Sequence, residues 1–144
     1  MDTLELHQSI ESAIAQAELT TSAEIRVHLD EKCAMDPLDR ASFIFEKLDM
    51  HKTSERNGVL IYVAFSDRKL AVIGDVGIHM HLPSDTWEHI KNRMTEAFSK
   101  GNYSQGLCNA IEEIGEHLKH FFPRRHDDKD ELSNRVSTHN FTAK

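Results

Sequence analysis

Glu24, Asn57, Asp75 and Asp85 are the residues of this chain whose types and spacing most suit a chemical task, the binding of a hard cation. Asn57-Gly58 opens an apolar run, Val59 to Phe65, and Gly74-Asp75 closes a second one, Leu70 to Ile73. Ser66-Asp67-Arg68-Lys69 separates them. Two such runs about a tight polar link predict a β-hairpin, and its return brings Asn57 and Asp75 to one edge of a sheet. Glycines at that edge let a backbone approach a ligand closely. Carboxylate and amide oxygens are the donors calcium takes, roughly six to eight of them, and that magnesium takes with several waters. The plainer alternative is local: Asn57 and Asp75 as turn residues and Asp85 as a helix cap.

The elements that must position these residues are legible in the periodicities. Leu4, Ile10, Ala13, Ile14 and Ala17 recur at helical spacing over residues 4–18. Glu24 to Asp30 alternates strictly, with Ile25, Val27 and Leu29 on one face and Glu24, Arg26 and His28 on the other, a strand with one drier face. Asp36-Pro37 caps and opens a second helix, to about Asp49. His51 to Arg56 is a polar link. Val59 to Phe65 is a central strand covered on both faces. Gly77 to Leu82 is expected as loop or as a short edge strand, because Ile78, Met80 and Leu82 alternate with His79 and His81. Pro83-Ser84-Asp85 opens a third helix, ended by Gly101-Asn102, and Ser104 to Phe122 forms the last, stopped by Pro123.

The order is α-β-α-β-β-α-α. A right-handed crossover makes the first two strands parallel, and the hairpin makes the third antiparallel. The expected fold is a Rossmann-like three-layer α/β/α sandwich with a small mixed sheet. Residues 1–123 form the domain. Residues 124–144, with five Lys and Arg and four Asp and Glu, are expected to be a flexible or loosely docked tail. In this topology Thr21, Ser22, Glu24, Arg56, Asn57, Gly74 and Asp75 meet at one end of the sheet, and the loop after Asp75 leads to Ser84 and Asp85.

The opposite end collects Asp30, Glu31, Ser66, Asp67 and Arg68, without any glycine-rich phosphate loop. The ten histidines show no zinc pattern, although His79 and His81 would share a face if extended. No Ser-His-Asp or Cys-His pairing follows from residue order. Cys33 and Cys108 lie far apart and are read as free thiols, with no nucleophile expected of Cys33 in its acidic surroundings.

The chain has 144 residues, enough to bury one core, with 39% hydrophobic and 28% charged residues. A net charge of -7 argues against nucleic-acid binding and is compatible with cations. No apolar run is long enough to span a membrane. Met1-Asp2-Thr3-Leu4-Glu5 carries no signal pattern, so a cytoplasmic monomer is expected.

Taken in order, Thr21-Ser22-Ala23-Glu24-Ile25-Arg26-Val27, Arg56-Asn57-Gly58-Val59-Leu60-Ile61, Asp67-Arg68-Lys69, Gly74-Asp75-Val76-Gly77-Ile78 and Phe98-Ser99-Lys100-Gly101-Asn102-Tyr103 resemble the TPM domain family. That family is named for a thylakoid lumen protein, a photosystem II repair protein and a nematode receptor modulator. The likeness covers about residues 5–123 and looks like a small soluble bacterial branch. It implies a Rossmann-like sandwich and a divalent cation, calcium above all, at an acidic sheet end; some members are described as acid phosphatases. Arg56 stands where the family commonly has Asp, and Gly77-Ile78-His79 and Leu82-Pro83-Ser84 depart from its pattern. Asp85 replaces the missing acid only with a one-residue shift. Arg56 is therefore placed either to pair with Asp75 or to bind a phosphate group beside a metal.

Three functions follow as expectations. The first is a calcium- or magnesium-binding interaction or regulatory module, its protein partner unidentified, with Glu24, Asn57, Asp75 and Asp85 as metal ligands. The second is a metal-assisted phosphomonoesterase with Arg56 on the phosphate oxygens. The third is a scaffold without a ligand.

Overall fold

The computed structural model describes residues 3–124 and 136–138. Its elements are α1 (Thr3–Ala17), β1 (Glu24–Asp30), α2 (Pro37–Lys47), a 3-10 turn (Met50–Lys52), β2 (Gly58–Ala64), β3 (Lys69–Gly74), α3 (Val76–His79), α4 (Ser84–Ser99) and α5 (Tyr103–Leu118). The expected order holds, with the 3-10 turn and the one-turn α3 added. β1 runs parallel to β2, from Glu24 beside Gly58 to Asp30 beside Ala64. β3 returns antiparallel on the other side of β2, from Lys69 beside Ala64 to Gly74 beside Val59.

β2 is the middle strand, and each of its residues is buried. Its side chains alternate between two cores of different size. Val59, Ile61 and Val63 join Ile25, Val27 and Leu29 of β1 beneath α1, α4 and α5, where Ile10, Ile14, Ile90, Met94, Leu107, Ile111 and Ile114 face them. Leu60, Tyr62 and Ala64 face the other way, onto Ala41, Ile44 and Phe45 of α2 and Met50. The result is a three-layer α/β/α sandwich. Among the described residues no helix is long and apolar enough to cross a membrane.

β1 departs from its expected pattern. All seven of its residues are buried, the polar ones included. On the polar face Arg40 of α2 reaches Asp30, and residues 136–138 lie along the outer edge of the strand. There the Ser137 N–H donates to the Val27 carbonyl and the Leu29 N–H to the Ser137 carbonyl, both at 2.9 Å. The Val136 N–H reaches Glu11 Oε2 on α1 at 3.0 Å. The rest of the tail expected at 124–144, beyond Arg124 and residues 136–138, lies outside the described residues.

The segment after Asp75 is no edge strand: Val76–His79 is a helical turn, and residues 80–83 follow as turn and loop. It turns helical because Asp75 caps it, accepting the Val76 N–H at 2.7 Å. His79 and His81 therefore share no strand face; His81 stacks on Phe121, with ring centroids 4.7 Å apart.

Close approach dictates glycine here. A Cβ at Gly77 would stand 2.5 Å from the Glu55 carbonyl oxygen and 2.6 Å from that of Arg56, and both neighbours are backbone. Gly77→Ala should therefore lower the unfolding free energy by about 2 kcal/mol or more. Gly101 has open space around it but φ +79°, so Gly101→Ala should cost only about 1–2 kcal/mol. Urea unfolding of both variants checks this ranking.

Candidate functional site

At the sheet end where β1 and β2 begin, Glu24, Gly58 and Asp75 form a row across the sheet. Glu24 is the register partner of Gly58, and the Asp75 N–H donates to the Gly58 carbonyl at 2.9 Å. Asn57 precedes Gly58 and is 2% exposed. Its carbonyl accepts the Glu24 N–H at 3.2 Å, its own N–H donates to Thr53 Oγ1 at 3.2 Å, and its amide Nδ2 donates to the Ser22 carbonyl at 3.3 Å. Three of the four expected ligand positions thus lie at one end of the sheet. Asp85 does not join them: it lies exposed in the first turn of α4 and makes no hydrogen bond or ion pair among the described residues.

The Asp75 carboxylate is gripped by Arg56. Arg56 Nε meets Oδ2 at 2.7 Å and its terminal nitrogen meets Oδ1 at 2.8 Å, a bidentate fork. The Asp75 side chain is 5% exposed and that of Arg56 48%, so the cation comes in from the solvent side. Arg56 itself sits at φ +53°, a left-handed conformation that side chains other than glycine and asparagine adopt at a cost. The fork hydrogen-bonds the guanidinium to Asp75 and so holds its pKa even higher than usual.

The glycines around this end serve the fold. The space beside Gly58 is taken by the Met50 carbonyl, that beside Gly74 by Ile78, and that beside Gly77 by the Glu55 and Arg56 carbonyls. The expectation that they open the backbone to a ligand is replaced by packing of the 3-10 turn and α3 against the strands. Among the described residues no three His, Cys, Asp or Glu side chains converge as a ligand set. The donors at this end are two carboxylates and an amide oxygen. Both Asp75 oxygens are engaged by Arg56, so a hard cation here would have to displace that guanidinium and take most of its shell from water.

The other end of β1 holds a buried polar network that residue order did not reveal. His28 Nε2 lies 2.8 Å from Asp30 Oδ1, and His28 Nδ1 lies 2.8 Å from Ser137 Oγ. Asp30 Oδ2 also accepts from Arg40 Nε at 3.0 Å and from the Tyr62 hydroxyl at 2.7 Å. Burial alone would raise the Asp30 pKa, but the bonds from Arg40, Tyr62 and His28 outweigh it and hold the group ionised. A carboxylate only accepts, so His28 carries its proton on Nε2, and Nδ1 accepts the Ser137 hydroxyl. Burial pushes the His28 pKa down despite Asp30, and the phenol of Tyr62 is raised, first by burial and then by its bonds to Cys33 and Asp30.

The connectivity is Ser-His-Asp, but the arrangement is built to stay closed. Ser137 is 7% exposed, His28 0% and Asp30 5%. The Ser137 main chain is tied into the strand edge on both sides. The triad pattern here is cement between β1, α2, β2 and residues 136–138. The available signal was register: Tyr62 is the β2 neighbour of His28, and alternation puts Asp30 on the same face as His28.

Because the folded His28 resists protonation, the unfolded chain binds the extra proton below its ordinary pKa near 6.5. Stability should therefore fall as pH drops from 7 toward 5. In His28→Gln the slope should be shallower by up to about 1.4 kcal/mol per pH unit. Urea unfolding at several pH values reads the difference, and equal slopes would remove His28 from the account.

The sequence matches the model of the TPM domain over residues 3–117. It is similar to the BA42 protein of the psychrophilic bacterium Bizionia argentinensis, whose NMR structure superposes with a TM-score of 0.88 at 42% identity, over 95% of this chain and 94% of that one. The N-terminal domain of the cg2496 protein of Corynebacterium glutamicum shares the fold, with a TM-score of 0.63 at 12% identity over 100% of this chain and 84% of that one. No curated protein matches the chain.

Proposed function

The chain belongs to the TPM domain family, and on that premise we propose that it is a divalent-cation-binding module, calcium first and magnesium second, sited at the sheet end around Asp75. The observation that carries this reading is the Arg56–Asp75 fork. The carboxylate already selects a cation, and that cation is a half-exposed side chain on a left-handed backbone.

Asp75, Glu24 and the Asn57 amide oxygen would hold the ion, and waters would complete its shell. A bound divalent cation supplies a fixed positive charge that can anchor an acidic partner or polarise a phosphoryl oxygen. Arg56 competes with it for Asp75. When Arg56 is displaced, the guanidinium reaches solvent and the charge pattern of this surface changes, which suits a regulatory or interaction module. The phosphomonoesterase reading has less support, because Arg56 aims its fork at Asp75 and not outward.

Calcium and magnesium titrations of the metal-stripped protein, followed by amide NMR, test the proposal. Saturable shifts are expected at Glu24, Asn57 and Asp75, absent in Asp75→Asn. Arg56→Gln removes the competitor and should bind calcium about tenfold more tightly, the worth of one charged pair. No saturation in either the parent or Arg56→Gln at millimolar calcium would overturn it. Metal-dependent hydrolysis of an aryl phosphate that falls in both Asp75→Ala and Arg56→Ala would shift the assignment to the phosphomonoesterase.

A further inference from the structure

The hairpin end of the sheet, far from Asp75, carries a cavity of about 540 Å³. Its walls come from the end of β2, the hairpin turn, the last turns of α4 and the start of α5, and they include Phe65, Arg68, Leu70, Thr95, Phe98 and Tyr103. The size is that of a small-molecule site.

Two stretches that the sequence sets apart, Asp67-Arg68-Lys69 and Phe98 to Tyr103, have no part in the sheet-end site. The fold brings both to this cavity. Tyr103 stands edge-on to Phe65, with centroids 5.0 Å apart, and at 5.2 Å from Phe98. Together they make a half-buried aromatic wall. Gly106 lets Phe98 lie against α5, since a Cβ there would stand 2.9 Å from the Phe98 ring.

The polar groups are unequally committed. Lys69 Nζ is spent on the Cys33 and Met35 carbonyls at 3.0 and 3.2 Å. Arg68 is exposed at φ +53° on the hairpin turn, and among the described residues its guanidinium has no acceptor. The Tyr103 hydroxyl likewise has none. Thr95 and Ser99 donate to the Lys91 and Glu96 carbonyls and keep their oxygens as acceptors. One uncommitted cation thus stands at the mouth of an apolar, aromatic-walled cavity in a protein of net charge -7.

We propose that this cavity binds a small organic anion: a planar apolar body against Phe65, Phe98 and Tyr103, with one acid group on Arg68. Guanidinium pairs bidentately with carboxylate and with phosphate alike, so the shared chemistry is one oxyanion on an aromatic body. This site is independent of the cation reading and lies at the other end of the hairpin.

The test is an amide NMR titration of the full chain with indole-3-acetate and phenyl phosphate, and with indole-3-ethanol and inorganic phosphate as partial ligands. Both acids should give saturable shifts at Phe65, Arg68, Leu70, Phe98 and Tyr103. The alcohol and the inorganic ion should bind about tenfold more weakly or worse. Arg68→Asn, which tolerates the left-handed turn, should weaken the acids about tenfold and leave the alcohol unchanged. Thr95→Phe, which fills the cavity, should abolish binding of all with the thermal transition preserved. Tighter binding of indole-3-acetate would assign the natural acid as a carboxylate, and of phenyl phosphate as a phosphate ester. The proposal is overturned if neither acid saturates by about 10 mM, if Arg68→Asn binds the acids as the parent does, or if the shifts centre on Arg56 and Asp75.

Discussion

A carboxylate buried at the end of β1 sets the conditions for the rest of the molecule. Asp30 is ionised inside the protein, and a buried charge is tolerated only when its oxygens are fully engaged. Its donors come from separate elements: Arg40 from α2, Tyr62 from β2 and His28 from its own strand. α2 must therefore dock on this face of the sheet at a rotation that aims Arg40 inward. Through His28 the same requirement extends to Ser137. The Arg40–Asp30 bond thus ties the rotation of α2 to the sheet.

The two ends of the sheet solve different problems. At the hairpin end, strands, turn and helices leave space between them. At the opposite end the backbone is packed so tightly that glycine is required beside the Glu55 and Arg56 carbonyls. That packing sets the start of α3 against the Glu55–Arg56 backbone. It also holds Arg56 in the conformation that aims its guanidinium at Asp75.

Most of the fold was legible because burial leaves a period. The alternation of Ile25, Val27 and Leu29, the unbroken run of β2 and the helical spacing of Ile90 and Met94 each named an element and its inward face. α3 was not legible, since Ile78, Met80 and Leu82 obey a period of two as well as a single helical turn. The decision came from the Asp75 cap and from Gly77, whose role lies in contacts remote along the chain. At the candidate site, the backbone positions of Glu24, Asn57 and Asp75 could be placed from topology, because register brings those strand ends to one edge of the sheet. Asp85 could not, since its position depends on how α3 turns the chain. The His28–Ser137 bond spans 109 residues and involves a polar tail with no periodic signal.

The bridge at Ser137 has a consequence for how copies of this chain meet. In a three-stranded sheet, β1 and β3 are both edges, and β1 is the more deeply buried of the two. An uncovered edge strand is a template for pairing with another molecule. Ser137 occupies the Val27 carbonyl and the Leu29 amide, the groups a foreign strand would need. Three residues from the far end of the chain thus act as a chain terminator for sheet growth. At Val27 and Leu29 the β1 edge offers no free ladder to another molecule.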